Sequence, residues 1–196
     1  MRVFVALDIP QAVRDSLGQL RQRFEKLTPG ARWVRLEGAH VTLKFIGEVS
    51  AAQVAQIRAE LEKIPTRAPF ELIFRGLGFF PNERHPRVFW AGIEGGADLA
   101  ALAAAIETRL APLGIPPESR EFRPHLTLAR FEPSAELGAL RAAANEFAAG
   151  TDATGASAGE FGRVIAGEFH LYQSVLKPSG AEYTRLATYK FSAESA

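Results

Sequence analysis

The chain has 196 residues, with 23 Lys and Arg against 22 Asp and Glu and a formal net charge of +1. That length suits one domain, or one domain of two lobes, and can bury roughly 70% of its unfolded surface without staples. The absence of Cys excludes a disulfide scaffold, a thiolate zinc site and a Cys nucleophile, and the near-neutral charge gives no broad basic field of the kind that coats long nucleic acid.

Any nucleic-acid contact is therefore expected to be local, at an end or at one phosphate. "RVFVALDI" (2–9) predicts a strand, too short an apolar run for a signal peptide or a membrane span, so a cytoplasmic protein is expected. Asp8 and Pro10 then open a helix with Val13, Leu17, Leu20, Phe24 and Leu27 on one face, stopped by "TPG" (28–30). "HVTLKFIGEV" (40–49) is a strand. Ser50 and Gln53 form a capping-box pattern for a helix carrying Val54, Ile57, Leu61 and Ile64. "FELIFRGLGFF" (70–80) is the next strand, ended by "PNERHP".

The order then restarts. "RVFWAGIE" (87–94) predicts a strand, 97–112 a helix with Leu99, Leu102, Ile106 and Leu110 inward, and "HLTLARF" (125–131) a strand. Ser134 caps a helix with Leu137, Leu140 and Phe147. The Ala, Gly and Ser-rich stretch 148–160 reads as an inserted, mobile loop. "VIAGEFHLYQSVL" (164–176) and "EYTRLATYKF" (182–191) form a hairpin around "KPSG".

Arg2, Val3, Phe4 and Ala6 match Arg87, Val88, Phe89 and Ala91 at a spacing of 85, and His40 and Thr42 match His125 and Thr127 at the same spacing. Two matches at one offset point to an internal duplication, with repeats of approximately 1–85 and 86–196 in a single domain of residues 1–196. The fold class expected is α+β: a bilobal duplicated αβ unit, with two mainly antiparallel sheets facing a central cleft and helices on the outer faces. The sequence leaves open whether each half builds its own lobe or strands are exchanged.

Side chains alternate faces along a strand. His40, Thr42 and Lys44 are thus expected to look into the cleft, with Val41, Leu43 and Phe45 packed under the helices. In the second copy His125 and Thr127 share the cleft face, and Leu126 and Leu128 the opposite one. Two His and two Thr facing each other suit hydrolysis or transesterification at phosphorus. One neutral imidazole takes a proton from the attacking water or hydroxyl, and the other, protonated, gives one to the leaving oxygen. Those two oxygens lie on opposite sides of phosphorus in an in-line displacement, which opposed lobes can serve. Thr hydroxyls donate to the non-bridging oxygens.

A single His-x-Thr carries no signal. Two such pairs among the 4 His of this chain arise by chance in about one or two per cent of sequences, and the shared strand pattern and offset reduce that further. A metal site is the competing reading, but two His need a third protein ligand for zinc. No HExxH pattern or His and carboxylate cluster stands at fitting spacing.

His85, in a turn, reads as solvated. His170 shares a face with Tyr172 and Ser174, which reads as a satisfied polar sheet face. Arg130 is a candidate phosphate ligand, although strict alternation sets it opposite His125 and leaves it only a twisted or fraying strand end to reach the cleft. Lys44 has the right parity for electrostatic support. Trp33, Phe79 and Phe80 are candidates to stack a base at the cleft rim, a role set against ordinary packing.

These residues resemble the 2H phosphoesterase superfamily, whose mark is a pair of His-x-Thr-x motifs. The nearest match within it is the bacterial and archaeal RNA 2′,3′-cyclic phosphodiesterase family, also called 2′-5′ RNA ligase. The likeness runs through "RVFVALDIP", "RWVRLEGAHVTLKFIGEV", "RVFWAGIE", "FRPHLTLAR" and "LYQSVLKPSGAEYTRL", with no departure at the four motif positions. It implies a hydrolase that opens a terminal 2′,3′-cyclic phosphate on RNA to a 2′-phosphomonoester without metal or nucleotide cofactor, with 2′-5′ joining to a 5′-hydroxyl end as a minor activity. It implies His40 as proton donor, His125 as proton acceptor, and Thr42 and Thr127 as phosphate ligands. The direction of the His assignment rests on the family alone, since the repeat makes the two interchangeable by sequence. A monomer acting on RNA ends or oligonucleotides, with no membrane partner, is expected. The rival readings are a relative acting on another cyclic phosphate, such as a cyclic ADP-ribose phosphate, and an RNA-end binding protein without turnover, against which the intact motifs argue.

Overall fold

The apolar runs become nine strands and four helices in a computed structural model that describes residues 1–65, 67–132, 135–149, 159–177 and 180–192. In chain order these are β1 (Arg2–Asp8), α1 (Gln11–Glu25), β2 (Arg32–Trp33), β3 (His40–Glu48), α2 (Ala51–Glu62), β4 (Phe70–Phe80) and β5 (Val88–Glu94). Then come α3 (Gly96–Leu110), β6 (His125–Arg130), α4 (Gly138–Ala149), β7 (Glu160–Ala166), β8 (Glu168–Lys177) and β9 (Gly180–Lys190). Both sheets are antiparallel, one ordered β3-β1-β8-β9 and the other β2-β6-β5-β4-β7. The expected α+β arrangement of two antiparallel sheets bordering one cleft is borne out.

Strands are exchanged between the sheets. β4 pairs with β5 of the second sheet, and β8 pairs with β1 of the first. The segment 164–176, expected as one strand, is two. The chain leaves β7, on the edge of one sheet, and enters β8, inside the other, across Gly167. Apolar alternation continues through this crossing, so the pattern alone does not mark it. Ser134 and most of 148–160 lie outside the described residues, as do Pro178 and Ser179 of the expected "KPSG" turn.

The helices form where capping and periodicity agree. The Gln53 amide donates to Ser50 Oγ at 3.2 Å and the Ser50 amide to Gln53 Oε1 at 3.0 Å, the expected box at the start of α2, worth about 1 kcal/mol. α1 buries Val13, Leu17, Leu20 and Phe24, and α3 buries Leu99, Leu102, Ile106 and Leu110. Each such side chain stabilises the fold by roughly 2 kcal/mol relative to exposure.

β1 shows how one strand serves both layers. Val3, Val5 and Leu7 join the main core under the helices, whereas Phe4 and Ala6 form a separate cluster with Tyr172 on the other face. Asp8 pairs with His40 and Gly92 with His125, so the two first strands correspond at 84 residues while the motif strands stand 85 apart. The Arg-Val-Phe match at 85 is therefore one residue out of register. Phe4 stacks on the cleft-lining His40, and Phe89 is fully buried in the core.

Candidate active site

His40 and His125 each open a strand, and both line one cleft of about 1940 Å³ that also takes in Thr42, Thr127 and Arg130. Placement at the first strand residue lets each ring reach back to a carbonyl two residues earlier. His40 Nδ1 lies 2.8 Å from the Gly38 oxygen, and His125 Nδ1 lies 2.7 Å from the Arg123 oxygen. A carbonyl only accepts, so Nδ1 carries the hydrogen and Nε2 is left for the cleft. In this tautomer Nε2 accepts a proton when neutral and donates one when charged.

The rings differ in what holds them. His40 stacks on Phe4 at 4.5 Å and meets the edge of Tyr183 at 5.1 Å. Tyr183 needs the glycine at 38, because a Cβ there would meet its ring at 2.8 Å. Burial pushes the His40 pKa below its ordinary value, opposed by the bond to Gly38 and by the Asp8 carboxylate. His125 is edge-on to Phe80 at 4.9 Å and to Trp90 at 6.5 Å.

Asp8 anchors a polar cluster beside His40. The Tyr172 hydroxyl donates to Asp8 Oδ1 at 2.5 Å, and Arg185 binds Oδ2 and also donates to the Tyr172 oxygen. His170 is fully buried next to them, with Nδ1 3.0 Å from Thr188 Oγ1 and Nε2 3.5 Å from a Glu168 oxygen. Burial lowers its pKa and favours the neutral ring. The expected polar sheet face is thus there, but His170 Nε2 makes no hydrogen bond among the described residues.

Three expectations about parity are corrected. In β3, Ala6 pairs with Thr42 and Val5 with Lys44, so Leu43 is an extra residue. In β6, Trp90 pairs with Thr127 and Phe89 with Ala129, so Leu128 is extra. Each is a β-bulge, which turns over the side chains that directly follow it. Lys44 is consequently 4% exposed, with Nζ 2.8 Å from both Glu107 carboxylate oxygens and 2.7 Å from the Pro116 oxygen. It ties β3 to α3 and is spent on that ion pair. Phe45, expected in the core, lines the cleft instead. The second bulge brings Arg130 to the cleft without any fraying.

Of the stacking candidates, Phe79 is buried against Phe89 and Phe131 and does not reach the cleft wall. Trp33 lines the cleft but sets its ring against Phe89. Phe80 lines the cleft beside His125. His85 is exposed in its turn, as expected. The residues missed were Phe4, Asp8, Tyr183 and Arg185. Asp8, expected to help open α1, instead ends β1, and its charge at the parity of Phe4 was the available signal for the cleft face. Among the described residues no group of three His, Cys, Asp or Glu is placed to hold a metal ion, and no helix is long and apolar enough to cross a membrane.

The sequence pattern of the LigT-like phosphoesterase family matches residues 7–90 and 93–183. The chain is 31% identical over 192 residues to the RNA 2′,3′-cyclic phosphodiesterase of Archaeoglobus fulgidus, covering 97% of this chain and 100% of that one. The protein of the same name from Aeropyrum pernix is 36% identical over 175 residues, covering 89% and 94%. Among solved structures, TT0787 of Thermus thermophilus superposes with a TM-score of 0.77 at 29% identity, over 99% of this chain and 100% of that one. Escherichia coli LigT complexed with 3′-AMP gives 0.73 at 25% identity, over 97% of each chain.

Proposed function

The chain belongs to the LigT-like phosphoesterase family, and on that footing we propose that it hydrolyses 2′,3′-cyclic phosphate at RNA ends to a 2′-phosphomonoester by paired imidazole catalysis. The observation that carries this reading is the matched pair of rings in one cleft, each with Nδ1 tied to a carbonyl and Nε2 left for substrate.

The steps follow from those atoms. His125 Nε2 takes a proton from water as its oxygen attacks phosphorus. The bond from phosphorus to O3′ breaks on the opposite side, and protonated His40 gives its Nε2 hydrogen to O3′. The products are a 2′-phosphate and a free 3′-hydroxyl, and the next cycle begins when the two imidazoles exchange their protons with solvent. Thr42 and Thr127 donate to the non-bridging oxygens, and the Arg130 guanidinium adds positive charge where charge builds in the transition state. A 5′-hydroxyl in place of water gives a 2′-5′ linkage by the same movements, as a minor activity.

Residues 1–196 act on this reading as one bilobal domain with an internal repeat. The matching pair of bulges and the reciprocal exchange of β4 and β8 support it. The test is hydrolysis of an oligoribonucleotide ending in 2′,3′-cyclic phosphate, in EDTA, followed by phosphorus NMR. A 2′-phosphate product supports the proposal. A 3′-phosphate, or turnover only with added metal, rejects it, and faster turnover of a cyclic ADP-ribose phosphate shifts the substrate class.

A further inference from the structure

The ion pair of Lys44 with Glu107 crosses from one jaw to the other. Lys44 stands two residues after Thr42 on β3, in the sheet of His40. Glu107 stands on α3, which the chain enters from β5 and leaves for β6, both strands of the sheet of His125. Lys44 Nζ lies 2.8 Å from both Glu107 oxygens, and its side chain is 3% exposed against 26% for Glu107. Solvent screens so buried a pair far less than a surface pair.

Both partners also grip the segment 114–124, which has no helix or strand of its own. Lys44 Nζ donates to the Pro116 oxygen at 2.7 Å, and the Glu118 amide donates to Glu107 Oε1 at 3.4 Å. Residues 119–123 then span to Pro124, whose oxygen accepts from the Ile93 amide at 3.3 Å. On the way the segment lines the cleft with Arg120, Phe122 and Arg123. The Arg123 oxygen, 2.7 Å from His125 Nδ1, accepts the hydrogen that sets the tautomer of that ring. The repeat has no second copy of this link. The residue 85 places after Lys44 is Ala129, fully buried in the core and without a polar side chain.

The reaction asks both rings to meet one phosphorus from opposite sides, and a misplacement of about 1 Å costs about a hundredfold in rate. We propose that Lys44 and Glu107 are positioning residues: their ion pair braces β3 against the segment that leads into His125 and fixes the two imidazoles relative to each other. This rests on the function proposed above.

The test compares two substrates that differ in how many imidazoles they need. One is an oligoribonucleotide ending in 2′,3′-cyclic phosphate. The other is its 3′-thio analogue, whose sulfur leaves as a thiolate without a proton, so that the base alone suffices. Lys44→Met/Glu107→Met replaces the pair by apolar side chains, an exchange that buried ion pairs often tolerate without loss of stability. This variant is expected to lower kcat on the oxygen substrate about thirtyfold and on the analogue only about threefold, with KM unchanged. Glu107→Gln, at the more exposed partner, keeps an acceptor for Lys44 and is expected to show the same selective loss at smaller size. It decides the question if the double variant shows no cooperative urea transition. Equal losses on the two substrates, or no loss on either, overturn the brace and leave the chemistry standing. Equal losses are what a weakened fold gives, or a lysine acting on the phosphate itself. A wild type that fails on either substrate rejects the paired-imidazole chemistry, and the brace with it.

Discussion

The jaw built on His40 and the jaw built on His125 share one hydrogen-bonding device and differ in what stands across the strand. Both rings hand Nδ1 to a carbonyl two residues back. Across from His40 in the pairing is Asp8, and across from His125 is Gly92. A side chain at 92 would meet the Arg75 carbonyl oxygen at 2.5 Å, so the second jaw has no room for a counterpart of Asp8. A carboxylate near an imidazole favours its protonated form. The two rings share one hydrogen-bonding arrangement, and local packing makes their surroundings unlike. Burial outweighs Asp8 in the free protein and holds His40 below its ordinary pKa. A cyclic phosphate anion in the cleft adds a second negative charge and works in the same direction as Asp8.

Removing either ring is the largest test of this comparison. His40→Ala and His125→Ala are each expected to lower kcat about a thousandfold, and the double variant to fall little further, because the two act as one unit. Independent, multiplying losses in initial-rate assays would break the pairing. The next effect is at the phosphate. Thr42→Val and Thr127→Val are each expected to lower kcat/KM about a hundredfold, and equal losses would show that the jaws grip alike. Asp8→Asn addresses the asymmetry itself. With His40 acting as the acid, kcat/KM falls as pH rises through the His40 pKa, which lies below the ordinary 6.5. Removing the carboxylate moves that limb to still lower pH, so the rate at pH 7.5 drops about threefold. A limb that stays in place or moves up refutes the role given to Asp8.

The smallest effect is on stability. His40 and His170 both have folded pKa values lowered by burial, so the unfolded chain binds protons more readily. Their contribution to stability is complete above the unfolded pKa of about 6.5 and is lost as pH falls through the folded values. The urea midpoint is expected to be lower at pH 5 than at pH 7.5, and a pH-independent midpoint contradicts this.

That His40 and Thr42 share one strand face, and His125 and Thr127 another, was legible because strand alternation is a local pattern. The capping box of Ser50 and Gln53 was legible for the same reason. The bulges were not. One extra residue leaves no mark on composition, yet it exchanged the places of Lys44 and Phe45 and carried Arg130 to the cleft. Pairing partners far apart in the chain were equally hidden, as with Asp8 and Arg185, which lie 177 residues apart. The division of 164–176 at Gly167 depends on which sheet each half finds. That is a property of the folded molecule and not of the segment.

A substrate whose bridging 3′-oxygen is replaced by sulfur separates the two jaws most directly, because a thiolate leaves without a proton. On this 3′-thio 2′,3′-cyclic substrate, His40→Ala is predicted to recover most of the wild-type rate while His125→Ala stays inactive. Rescue of His125→Ala instead, or no rescue of either variant, would contradict the assignment of acid to one jaw and base to the other.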